Sequence, residues 1–67
     1  MLENWDKVFE TNQVIRAEQI KDLLEINDIQ AVILNKQTSS FVLGYCEVYV
    51  PNEVSEAAKN ILKNEEA

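Results

Sequence analysis

Histidine is missing from this sequence altogether, and cysteine, glycine and proline appear once each, as Cys46, Gly44 and Pro51. Without histidine, proton transfer and nucleophile activation would fall to lysine or a carboxylate. A lone cysteine closes no intramolecular disulfide, and with no histidine it makes no Cys/His zinc site. Cations are scarce as well: six Lys and Arg stand against twelve Asp and Glu, a net charge of -6. Lys7, Arg16, Lys21, Lys36, Lys59 and Lys63 are scattered, whereas phosphate binding needs clustered cations that release counterions. The net field repels a polyanion, so neither nucleic acid nor an anionic membrane surface is an expected partner.

Long apolar runs are absent too. The longest aliphatic stretch is Ala31-Val32-Ile33-Leu34, far short of the ~20 residues a bilayer demands. Met1-Leu2-Glu3-Asn4 lacks the charged, apolar and small-residue order of a signal peptide. The expected location is the cytoplasm, where a reduced thiol is ordinary. No cofactor is expected.

What is present is a small globular composition. Of 67 residues, 46% are hydrophobic and 27% charged, too apolar and too mixed for a disordered chain. One domain over 1–67 is expected, with its core at about 5–64 and residues 65–67 frayed. A chain of this size buries only ~60% of the surface its unfolded form exposes. Packing alone, or packing with self-association, must supply the stability.

The order of elements follows from periodicity. A strand is expected from Trp5 to Glu10, where Val8 and Phe9 alternate with charged neighbours. Thr11-Asn12 offers a cap for a helix over Gln13 to Ile26. In that helix Ala17, Ile20, Leu23 and Leu24 share one face, and Glu18, Asp22 and Glu25 the opposite one. Ile15 and Ile26 fall off the apolar stripe. Asn27-Asp28 is the stop, with Asn expected in the left-handed turn and Ile29 packing back.

Gln30 to Lys36 reads as a second strand. Its consecutive apolar residues load both faces, although only one can meet the helices. Gln37-Thr38-Ser39-Ser40 reads as a hairpin loop, and Phe41 to Val50 as a third strand with a bulge at Gly44. Beyond it Cys46, Val48 and Val50 alternate with Tyr45, Glu47 and Tyr49. Pro51 ends the strand. Asn52 is expected to cap a last helix over Glu53 to Asn64, apolar at Val54, Ala57, Ala58, Ile61 and Leu62.

The order β-α-β-β-α predicts an α+β fold, a ferredoxin-like two-layer sandwich. Its three-stranded sheet would run in order 1-3-2 with both helices on one face. The first strand then becomes a free edge. The other sheet face carries Tyr45, Tyr49 and one apolar set from the second strand. These two features predict a homo-oligomer, preferably a dimer, through the first strand's edge or the open face.

The residues so assembled resemble a small bacterial family labelled "putative prokaryotic signal-transducing protein". The likeness lies in Lys7-Val8-Phe9-Glu10-Thr11-Asn12, Ala17-Glu18, Ile20-Lys21 and Leu23-Leu24. It continues through Ile29-Gln30-Ala31-Val32, Asn35-Lys36 and Ser39-Ser40 to Glu47-Val48-Tyr49-Val50-Pro51. The resemblance implies a fold similar to the nitrogen-regulatory PII proteins, and a role in signalling. This chain departs from those proteins in two ways: only Gln37 to Ser40 stand where they carry a long partner-binding loop, and their nucleotide contacts have no match.

The candidate interaction surface is Trp5, Phe9, Val32, Leu34, Tyr45 and Tyr49. Lys36, Gln37, Thr38, Ser39 and Ser40 are candidate loop contacts; no P-loop spacing surrounds them. Cys46 alternates with valines and reads as a small buried hydrophobe. The acidic helix stripe reads as a solvated face. The expected function is a non-catalytic interaction or sensing module. The alternatives are a regulatory binder of a nucleotide or metabolite, and a small dimeric ferredoxin-like-barrel enzyme.

Overall fold

A computed structural model of the chain describes residues 3–36 and 45–66. Its elements run β1 (Trp5–Thr11), α1 (Val14–Ile26), β2 (Val32–Lys36), β3 (Tyr45–Pro51), a 3-10 turn (Asn52–Val54) and α2 (Ser55–Glu66). The sheet order is β1-β3-β2, and both pairings are antiparallel. This is the α+β arrangement expected, consistent with a ferredoxin-like fold. The expected hairpin loop at Gln37 to Ser40 and the bulge at Gly44 lie outside the described residues.

One cluster of side chains joins the layers. Ala17, Ile20 and Leu24 from α1 and Ala58 and Leu62 from α2 are buried with Cys46, Val48 and Val50 of β3. Both helices therefore cover the same face of the sheet. The central strand contributes its even positions, as its alternation foretold.

The doubly apolar β2 resolves through its register. Ile33 stands opposite Val48 and packs against the core, while Val32 and Leu34 stand opposite Tyr49 and Glu47. Ala31, just before the strand, is buried with the helices. Val32 and Leu34 thus belong to the face that carries no helix.

The stop of α1 differs in detail from the expectation. Asp28, not Asn27, takes the left-handed conformation, with φ 64°. The Ile29 N–H donates to the Leu24 carbonyl (2.9 Å) and the Asp28 N–H to that of Glu25 (3.0 Å), the paired bonds of a Schellman ending. Asn27 serves through its side chain instead, its Nδ2 donating to the Leu23 carbonyl at 2.8 Å. Ile29 packs into the core cluster, which closes the motif with its usual apolar contact.

Other boundaries shift by a residue or two, as helix and strand ends do. β1 extends to Thr11, whose Oγ1 accepts from the Gln13 N–H at 3.2 Å; the cap position of α1 falls not on Thr11 or Asn12 but on Gln13, whose carbonyl accepts from the Ala17 N–H and whose side chain makes no capping bond. Pro51 is the last residue of β3. Asn52 opens the 3-10 turn without a side-chain cap, and its N–H donates to the Asn4 carbonyl at 2.8 Å. That bond ties the start of the last helical segment to the start of β1.

Candidate functional site: the helix-free face of the sheet

β3 is the middle strand, so its odd positions project from the sheet opposite the helices. Register places Lys7 beside Tyr49 and Val32, and Glu10 beside Glu47 and Leu34. Trp5 pairs with Pro51, two residues from Lys7 and on the same side. The face is therefore divided: charged along β1, apolar along β2, with Glu47 and Tyr49 between. Trp5, Val32, Leu34 and Tyr49 are all half-buried.

Glu47 is the unexpected member. It is only 4% exposed although α1 and α2 both lie on the other side of the sheet. A buried carboxylate needs donors, because its loss of hydration is otherwise uncompensated. Lys7 Nζ donates to its Oε2 at 3.4 Å, and the Tyr49 hydroxyl donates to its Oε1 at 3.0 Å. Glu10 lies directly across the ladder, and like charges there would repel. Lys7 relieves this by also donating to Glu10 Oε1 at 2.9 Å. The bonds to Glu10 first, and to Glu47 second, raise the Lys7 pKa above its ordinary 10.5. One ammonium thus holds two carboxylates at the centre of the face.

A bulge makes this geometry possible. The register of β1 against β3 slips between Lys7 and Phe9. The extra residue, Val8, lets Lys7 and Glu10 share a side although they are three positions apart. The same slip sends Phe9 to the other side of the sheet, opposite Val48. There Phe9 packs against the core and the Arg16 guanidinium sits 5.8 Å from its ring centre.

The candidate surface read from the sequence is thus only partly brought together. Trp5, Val32, Leu34 and Tyr49 share the helix-free face, and Phe9 is on the other one. Tyr45 pairs with Lys36 across β3 and β2. Gln37, Thr38, Ser39 and Ser40 lie outside the described residues. Sequence reasoning missed Lys7, Glu10 and Glu47. Its available signal was a glutamate in mid-strand between tyrosines, a poor strand former where β-branched and aromatic residues prevail.

Elsewhere the chemistry is plain. Cys46 is a free thiol, 2% exposed among the core residues. In the acidic stripe of α1, Glu25 pairs with Lys21 at 3.4 Å, and no metal-holding group of His, Cys, Asp or Glu occurs among the described residues. Two open depressions of about 420 Å³ lie off the sheet face. One runs along the outside of α1 at Arg16, Gln19, Asp22 and Ile26, the other between Asn4, Asn52 and Glu53. No helix among the described residues is long and apolar enough to cross a membrane.

No curated protein and no solved structure matches the chain. A family model described as "Putative prokaryotic signal transducing protein" matches residues 5–66.

Proposed function

The chain belongs to the family described as "Putative prokaryotic signal transducing protein", and on that premise we propose that it is a non-catalytic interaction module of the cytoplasm. It works as a homo-oligomer and offers its helix-free sheet face to a protein partner. The observation that carries this reading is the divided face itself. Half-buried Trp5, Val32, Leu34 and Tyr49 surround a carboxylate that Lys7 and Tyr49 hold in place. Apolar area supplies affinity to such a surface, and a fixed charge array at its centre supplies orientation and partner choice.

The same array argues for binding over catalysis. A general base must be within reach of the proton it abstracts, and Glu47 is only 4% exposed and bonded to Lys7 and Tyr49. The one thiol is buried among valines, away from the cationic, accessible surroundings that activate cysteine.

Site-specific photo-crosslinking in the cells that express the chain tests the reading. A photoreactive residue at Trp5 is expected to capture a product of defined mass, and one at exposed Asn60 on α2 is expected not to. Equal and diffuse labelling from both positions would remove the sheet face as the binding surface.

A further inference from the structure

The two outer strands of the sheet are guarded very differently. β1 carries the register slip at Val8 and three charged residues, Asp6, Lys7 and Glu10. Bulges and charges are the devices that keep an edge strand from pairing with another chain. β2 has neither along most of its length. It pairs with β3 in unbroken register from Val32 to Lys36, and its first three residues are Val32, Ile33 and Leu34. An edge of that kind is a template for strand addition.

Charge distribution singles out the same edge. All twelve acidic residues lie before Ile29 or after Cys46, and the eighteen residues between those limits, inclusive, contain none. A chain of net charge -6 repels its own copy across most of its surface. The margin formed by β2 is where two copies meet without apposed carboxylates.

We propose that β2 pairs antiparallel with β2 of a second copy about a two-fold axis at Ile33, joining two three-stranded sheets into one. The register is self-complementary, as a two-fold contact requires. Ile33 meets its own counterpart, Val32 meets Leu34 of the second copy, and Gln30 meets the copy's Lys36, so no like charges stand opposite each other. Such a seam is small beside a standard interface and makes a weak, concentration-dependent dimer. It also sets the two helix-free faces side by side, doubling the docking surface. The inference rests on the self-association proposed above, and moves it from β1 or the sheet face to β2.

Sedimentation velocity from about 10 µM to about 1 mM, a range that brackets weak interfaces, tests it together with amide hydrogen exchange at both ends. Three results are expected: a monomer–dimer equilibrium, slowed exchange at high concentration in β2 but not in β1, and at least an about tenfold weaker dimer for Leu34→Asp, which places carboxylates at the seam. Trp5→Lys, on the face and away from the seam, is expected to leave the equilibrium unchanged. A dimer that survives Leu34→Asp, or whose new protection falls on β1, overturns the β2 seam while leaving self-association intact. A strict monomer throughout overturns both. The exchange measurement needs no variant, so a misfolded Leu34→Asp would not shelter the proposal.

Discussion

Truncating Leu24 to alanine measures how firmly the helix layer holds one side of the sheet. Leu24 is fully buried, belongs to the cluster that joins α1, α2 and β3, and its carbonyl accepts the closing bond of the α1 ending. Replacement of a fully buried leucine by alanine costs about 3–5 kcal/mol, the lost transfer energy plus the cavity left behind. A chain of 67 residues has a total stability of only ~3–10 kcal/mol at usual per-residue values. Leu24→Ala should therefore bring the chain close to its unfolding midpoint at room temperature. Ile26, two residues on, is 79% exposed, and Ile26→Ala should stay within about 0.5 kcal/mol of the parent. Urea unfolding followed by circular dichroism reads both. With a slope of about 1 kcal/mol per molar for so small a domain, the Leu24→Ala midpoint should fall by ~3–5 M, or the native baseline should vanish. A cost below about 1 kcal/mol for Leu24→Ala, or an equal cost for the two variants, would refute the assignment of the buried helix face. The exposure of the opposite sheet face would then have no basis.

Three further outcomes follow from single residues. Asp28 sits at positive φ, where a β-carbon costs roughly 1–2 kcal/mol; Asp28→Val should destabilise by about that amount, and Asp28→Gly should be neutral to slightly stabilising because glycine's unfolded-state entropy offsets the relief. Lys7 has a raised pKa from its bonds to Glu10 and Glu47, so its contribution to stability is complete below its ordinary 10.5 and is lost as pH rises through the folded value; a stability profile over alkaline pH should decline there, and Lys7→Met should flatten that decline. Cys46 is 2% exposed, so a thiol reagent should label it only as fast as the chain opens globally; rapid labelling under native conditions would contradict its place in the core.

Much of this architecture is legible in the sequence because local patterns and the global fold agree. The alternation of Cys46, Val48 and Val50 named the core face of β3, and the i, i+3, i+7 spacing of Ala17, Ile20 and Leu24 named that of α1. Two things were hidden. The register slip at Val8 has no local signature, since valine suits a regular strand as well as a bulge, and it decides where Phe9, Lys7 and Glu10 point. The Lys7–Glu47 contact joins residues forty positions apart, so only the pairing of β1 with β3 brings it into being. A charged centre on a face read as apolar is the consequence. The asymmetry of the two edges was hidden in part for the same reason: its charge pattern lies in the sequence, but the bulge that guards β1 is that slip.

Solvent paramagnetic relaxation of side-chain protons tests the uncovered sheet face most directly. With a soluble nitroxide and a dilute sample, the protons of Trp5, Val32, Leu34 and Tyr49 are predicted to broaden well beyond those of Ile20, Leu24, Val48 and Val50, which the helices cover. Equal protection of both sets would mean that the face is already closed within a single chain, and would contradict its role as an interaction surface.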